Sequence, residues 1–190
     1  MKLVSSTLSL FRKARLHLAL LAGTLVMVAG CAGPDPMSYQ SQKPTLDLKQ
    51  YFNGDITGWG MVQNRSGQVD RRFVVKIKAS WQGDEGILDE SFEWSDGEKQ
   101  RRVWKLKAVG PNRYVGRADD VRGEAIGEIY GNALRWRYTM DLPYRGGTIG
   151  LDFDDWMFLI DQEVMINRAV FSKFGVRLGE VTLSFRRSAG

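Results

Sequence analysis

The chain predicts an all-β fold, an antiparallel β-barrel or strongly curved sheet of roughly 8–11 strands. Three observations lead there. From about residue 55 onward, apolar and polar residues alternate with a period of two. Turn-forming dipeptides built on glycine interrupt the alternation. The runs between them recur about every eight to twelve residues, the rhythm of sandwiches and barrels.

The first run is GWGMVQN, within a strand expected near 56–63, and Ser66-Gly67 turns it into RRFVVKIKASW. There Phe73, Val75, Ile77, Ala79 and Trp81 share one face, with Arg72, Val74, Lys76, Lys78 and Ser80 on the other, so 71–82 is a half-buried strand. Strands at 86–95 and 99–109 are joined through Asp96-Gly97, a dipeptide that takes the positive φ a hairpin needs. In the second of these, Trp104, Leu106 and Ala108 face inward and Val103, Lys105 and Lys107 outward. Short runs at 113–118 and 124–130 precede a second hairpin dipeptide, Gly131-Asn132. LRWRYTMDL, over 133–142, alternates Leu134, Trp136, Tyr138, Met140 and Leu142 with Arg135, Arg137, Thr139 and Asp141. Next, the acidic stretch LDFDDWMFLIDQE divides into strands at 147–154 and 156–161. EVMINRAVFSKF can be written as a helix with Val164, Asn167 and Phe171 in line, but its β-branched residues favour a strand at 164–171. A last strand at 176–186, with Val181, Leu183 and Phe185 on one face, brings the count to eleven.

Alternation also marks barrels that span membranes. Here the polar faces carry Arg72, Lys76, Lys78, Lys105, Lys107, Arg135 and Arg137, and a basic residue facing lipid costs about 2–4 kcal/mol at the midplane. The apolar faces, dense in Trp, Phe and Ile, fit a filled core better than a lipid-facing band.

Residues 1–30 follow another plan: basic residues (Lys2, Arg12, Lys13, Arg15), an apolar run from Leu16 to Ala29, then small residues before Cys31. That is the layout of a secretory signal. The run has 14 residues, whereas a permanent spanning helix takes roughly 20. Val28, Ala29, Gly30 and Cys31 have the form of a bacterial lipobox, in which the thiol receives diacylglycerol, the chain is cut before the cysteine, and an acyl group such as palmitate caps the new amino terminus. Each buried methylene contributes about 0.8 kcal/mol, so several chains together anchor a protein to a membrane. Ala32, rather than Asp, after the cysteine resembles lipoproteins sorted to the outer membrane, here on its periplasmic face. The expected organisation is a cleaved signal at 1–30, a lipidated end and flexible tether at 31–46, and a single β-domain at 47–190.

Cleavage changes what chemistry is available. Four of the 27 basic residues and the lone histidine, His17, leave with the signal and no acid does, so 23 basic residues face 22 acids in the mature chain. The nucleic-acid reading invited by the formal charge of +5 therefore falls away. Without histidine or a second cysteine, a Ser-His-Asp triad, the usual zinc sites and an internal disulfide are excluded. No glycine-rich phosphate loop is present, and no cofactor is expected. Enzyme readings are left with carboxylates, densest at Asp152, Asp154, Asp155, Asp161 and Glu163. Two of them on one strand face can pair as acid and base or bind calcium. However, DFDD lacks the spacing of a calcium loop, and a solvated strand end and turn is the plainer account.

Six tryptophans (Trp59, Trp81, Trp94, Trp104, Trp136, Trp156) and neighbouring Tyr130, Tyr138, Phe92, Phe153 and Phe158 lie on the strands. They either fill an ordinary core or line a cavity for an acyl chain or other apolar ligand. Glu90 shares the inward face with Leu88, Phe92 and Trp94 and so needs a cation; Arg102, across the Asp96-Gly97 hairpin, is the nearest.

Taken together, the blocks YFNGDITGWG, ESFEWSDGEKQRRVWKL, EAIGEIYGNALRWRYTMDLP, DDWMF and INRAVFSKFGVRLGEVTLSFRR resemble the domain-of-unknown-function family 3833 of Gram-negative lipoproteins, over 47–187. The resemblance implies an exported lipoprotein whose genes often lie near genes for fatty-acid modification, including cyclopropane fatty-acid synthesis. It implies no established activity. Trp104, Gly131, Asn132, Asp155, Trp156, Asn167, Arg168 and Gly175 fall in those blocks. Turns account for Gly131-Asn132 and Gly175. Polar groups are costly in a core unless paired, so Asp155, Trp156, Asn167 and Arg168, with Glu90, Arg102 and Trp104, are the candidates for a ligand site or buried polar network. No catalytic or metal residue is assigned. The glycine-any-tryptophan opening of lipocalins is not met, since Gly58 directly precedes Trp59, and a lipocalin-like barrel follows from strand count alone.

The expectation is a non-catalytic, outer-membrane-anchored barrel that binds an apolar ligand, such as a fatty acid or phospholipid, in envelope lipid maintenance. The alternatives are an assembly lipoprotein that binds another envelope protein through a sheet edge, and a carboxylate-dependent enzyme acting near Asp152, Asp154 and Asp155.

Overall fold

The computed structural model describes residues 34–188; the signal at 1–30 and Cys31 lie outside them. The alternating runs form ten strands: β1 (Gly54–Asn64), β2 (Val69–Gln82), β3 (Glu85–Trp94), β4 (Lys99–Gly110), β5 (Arg113–Arg117), β6 (Val121–Tyr130), β7 (Ala133–Tyr144), β8 (Gly147–Leu159), β9 (Val164–Lys173) and β10 (Val176–Arg187). Each pairs antiparallel with the next, and β10 returns to β1, so the sheet closes into a barrel. Closure removes the free sheet edge through which another chain could add a strand.

The count is ten and not eleven because the acidic stretch contains no break. β8 runs straight through it: Asp152 and Asp154 point outward to Thr139 and Arg135 on β7, while Asp155 points inward. EVMINRAVFSKF is strand β9, as its β-branched residues favour. The expected faces are also found. Phe73, Val75 and Ile77 on β2, Trp104 and Leu106 on β4, and Leu134, Trp136 and Met140 on β7 are buried, whereas Lys76, Lys78 and Lys105 are exposed. An apolar interior under a charged exterior inverts the pattern of a lipid-facing barrel.

A single helical turn, α1 (Leu48–Tyr51), lies across the barrel end at which β1 starts. The Asp47 side chain caps it by accepting the Gln50 N–H at 3.0 Å, and Leu48, Tyr51 and Phe52 are buried. Three contacts hold this plug: Trp81 Nε1–H donates to the Phe52 carbonyl at 2.8 Å, the Tyr51 hydroxyl donates to the Glu163 carbonyl at 3.0 Å, and Lys49 pairs with Asp84 at 2.7 Å.

Part of the stretch expected as a tether is docked. A 3₁₀ turn at Pro36–Tyr39 brings the Tyr39 ring within 5.6 Å of Trp156 and 5.3 Å of Phe158. Further on, the buried Leu46 donates its N–H to the Gly131 carbonyl at 2.8 Å. Gly131 takes φ 56°, and a Cβ there would run into the Tyr39 carbonyl oxygen. Gly131→Ala is therefore expected to cost about 1–2 kcal/mol for the left-handed backbone alone, and more because it unseats Tyr39. Urea unfolding followed by tryptophan emission measures the loss; a change under ~0.5 kcal/mol, the size of an ordinary surface substitution, would show the docked segment to be unimportant.

Candidate functional site

Because side chains alternate along every strand, the odd or even parity of a residue decides whether it reaches the interior. The inward residues of β1–β4 and β7–β10 surround a cavity of about 250 Å³. Phe73, Phe92, Trp104, Trp136, Tyr138 and Phe153 give it an aromatic wall. Trp104 stands edge-on to Trp136 and Tyr138, with ring centroids 5.8 and 5.4 Å apart, and Tyr138 stacks on Phe153 at 5.0 Å. Such pairs hold the wall in shape beyond the burial of their area.

Two polar groups interrupt this wall. In the first, Glu90 on β3 lies opposite Arg102 on β4 in the strand register, with the guanidinium 3.7 Å from its carboxylate. Arg102 turns its fork to Asp120, in the turn between β5 and β6, with Nε and Nη2 each 2.9 Å from the carboxylate. Its Nη2 also reaches the Met140 sulfur at 3.2 Å, and its guanidinium sits over the Phe92 ring at 5.5 Å. In the second group, the buried Asp155 on β8 accepts hydrogen bonds from the Asn167 amide and, at 3.3 Å, from the Tyr138 hydroxyl. The same Asn167 amide donates to the Trp156 carbonyl at 3.1 Å.

This setting shifts the acids. Burial pushes Glu90 up to about 7, against the pull of Arg102, and the charges of Asp120 and Asp155 add to the rise. Asp155 is pushed up to about 6 by burial, with the Asn167 and Tyr138 donations holding it back. The Tyr138 phenol rises well above its ordinary range, through burial and then the Asp155 charge, so it stays a donor.

Of the residues singled out from the sequence, Glu90, Arg102, Trp104, Asp155 and Asn167 meet at this cavity. Trp156 and Arg168 do not. Each follows an inward residue by one position, so both fall on the outer face, opposite one another across β8 and β9. There Trp156 is covered by Tyr39 and by the Arg135 guanidinium at 5.3 Å, and Arg168 pairs with Glu180 at 2.7 Å. The acidic stretch is likewise split. Asp154 is held by Arg135 through two bonds of 2.8 and 2.7 Å, Asp152 accepts from Thr139 at 2.8 Å, and Asp155 faces the other way. Asp161 instead caps the β8–β9 turn by accepting the N–H groups of Glu163 and Val164. Among the described residues no three carboxylate, thiol or imidazole groups gather to hold a metal ion.

Sequence reasoning missed Asp120 and the polar role of Tyr138. Tyr138 carried a signal, an inward-facing hydroxyl in need of a partner. Asp120 sits in a turn without periodicity and reaches Arg102 because that turn extends the β4–β5 pairing, in which Lys105 lies opposite Arg117.

The family described as Protein of unknown function (DUF3833) matches residues 25–187. The chain belongs to the DUF3833 family. No curated protein matches it. Among solved structures, the S-type phycobiliprotein lyase CPES from Guillardia theta resembles the DUF3833 barrel with a TM-score of 0.57 at 7% identity, over 83% of this chain and 100% of the lyase chain. A protein of unknown function from the DUF3598 family of Nostoc punctiforme gives 0.53 at 12% identity, over 77% of this chain and 51% of its own. A third structure, EF1p2_mFAP2b bound to DFHBI, gives 0.42 at 11% identity, over 80% and 99%. The first two likenesses show the fold, a lipocalin-like antiparallel barrel.

Proposed function

We propose that this DUF3833 protein is a non-catalytic carrier or sensor that holds a small apolar or lipid ligand inside its barrel. In this reading it is anchored through a lipidated Cys31 at the periplasmic face of the outer membrane and serves envelope lipid maintenance. The observation that carries the reading is the aromatic cavity of about 250 Å³ with a few convergent polar groups in its lining. It lies just below the range of roughly 300 Å³ and more typical of drug-sized ligands. A small ligand, or one end of a longer one, suits it. The closed sheet leaves no full edge strand to which a partner could add one, and β4 is unpaired by a strand on its β5 side only over 99–104.

Mass spectrometry of the full-length protein purified from cells tests both halves of the proposal. Denaturing spectra should show a chain that starts at Cys31 and carries acyl mass. Native spectra should show a further, non-covalent mass that disappears in Ala169→Phe, which fills the cavity from β9. Repeated absence of bound mass in the wild type would remove the ligand reading, and an unmodified Cys31 would remove the anchor.

A further inference from the structure

The polar lining of the cavity is electronegative. Glu90, Asp120 and Asp155 face a single guanidinium, that of Arg102, and Asp120 takes its fork at 2.9 Å. Glu90 is left with an ion pair at 3.7 Å and, among the described residues, no hydrogen bond, although its side chain is only 12% exposed and lines the cavity. Asp155 has two donors, Asn167 and Tyr138, but no cation within ion-pair distance among the described residues. Buried carboxylate oxygens accept several hydrogen bonds each when satisfied, so both acids have unused capacity directed at the empty volume.

Building on the cavity reading above, we propose that the buried polar end of the ligand is a hydrogen-bond donor, neutral or cationic, of the amine, hydroxyl or heterocyclic N–H class. A donor supplies what Glu90 lacks. A carboxylate or phosphate brings a further negative charge into a site where three acids already share one guanidinium, and low-dielectric surroundings amplify that repulsion. A fatty acid or phospholipid would place only its apolar part in the cavity and keep its anionic end away from Glu90 and Asp155.

The cavity of about 250 Å³ holds on the order of eight heavy atoms, at about 30 Å³ for a water-sized group, so eight-carbon probes suit it. Full-length protein is titrated with octylamine, octanol and octanoate at pH 8, above the values to which burial lifts Glu90 and Asp155. The readout is indole emission, to which Trp104 and Trp136 in the wall respond. Octylamine and octanol should bind at least about tenfold more tightly than octanoate, and Glu90→Gln should weaken octylamine about tenfold while changing octanol less than about threefold. Asp155→Asn, read in the same way, serves if the Gln variant does not fold. Octanoate binding as tightly as octylamine overturns the inference and leaves the cavity reading standing. Failure of all three probes to bind overturns both.

Discussion

Replacing Arg102 with alanine should lower the unfolding free energy by about 3–5 kcal/mol, the usual cost of removing one partner from a buried ion pair. The reason lies less in the lost attraction than in what stays behind. Glu90 is 12% exposed and Asp120 28% exposed, and both face Arg102. Without the guanidinium, Glu90 must protonate or draw water into an aromatic wall, and Asp120 must turn to solvent. Met140 loses its N–H contact, and the Phe92 ring loses the cation above it. A control separates charge from packing. Arg102→Met combined with Glu90→Gln and Asp120→Asn removes the charges together, and replacing a whole buried ionic group often costs little. Urea unfolding of both proteins at pH 8 decides the matter. Loss in the triple variant equal to that in Arg102→Ala, although methionine keeps most of the volume, would assign the effect to the guanidinium's own contacts and not to the stranded acids.

The ion pair at the centre of that prediction was legible in the sequence, but for a reason the sequence states incompletely. Asp96-Gly97 announces a hairpin, and a two-residue turn there would set Glu90 opposite Val103. In the structure the loop has three residues, Ser95 to Gly97, with Gly97 at φ 88°; the Trp94 N–H donates to the Glu98 carbonyl and the Trp94 carbonyl accepts the Gly97 N–H. This loop type is the next commonest after the two-residue one, and it sets Glu90 opposite Arg102. Periodicity supplied the faces of β2, β4 and β7 because each has one wet and one dry side. It failed in the acidic stretch, where a strand end was expected after Asp154 and the strand instead runs on unbroken, with Asp152 and Asp154 facing outward to partners on β7. Family blocks grouped Trp156 with Asp155 and Arg168 with Asn167, although neighbours in a strand face opposite ways. Whether the aromatics fill a core or line a cavity depends on how ten strands close, and no local pattern reports that. Asp120 was hidden for another reason: it lies in a turn, and only the register of β4 with β5 sets it beside Arg102.

The two lifted acids predict an unusual pH profile. Glu90 moves from its ordinary 4.5 up to about 7, and Asp155 from 3.8 up to about 6. Between the ordinary and the lifted value, the folded protein binds a proton that the unfolded chain releases, so acidification favours folding. Stability should be greatest near the bottom of that window and fall as pH rises through 7, by about 3 kcal/mol for Glu90 alone at 1.36 kcal/mol per unit. Burial sets most of this figure; of the charged groups around Glu90, Arg102 opposes the shift, and Asp120, Asp155 and Asp89 add to it. Further acidification meets an opposing effect, because Asp84, Asp89, Asp96 and Asp141 are held below their usual range by Lys49, Arg101, Arg71 and Arg122, and Asp161 by backbone N–H groups. Their stabilisation is present above the ordinary carboxylate value and is lost as pH falls through the depressed ones. These surface pairs are exposed and individually small in effect, so the interior acids dominate at neutral pH. Unfolding free energies should therefore decrease from pH 5 to 7 and level off by pH 8, and Glu90→Gln should be more stable than wild type at pH 8 and flatter across the series. The same slope in Glu90→Gln and in Asp155→Asn would mean that water reaches these carboxylates freely, and the wall would then lack the electronegative, desolvated character that selects a donor.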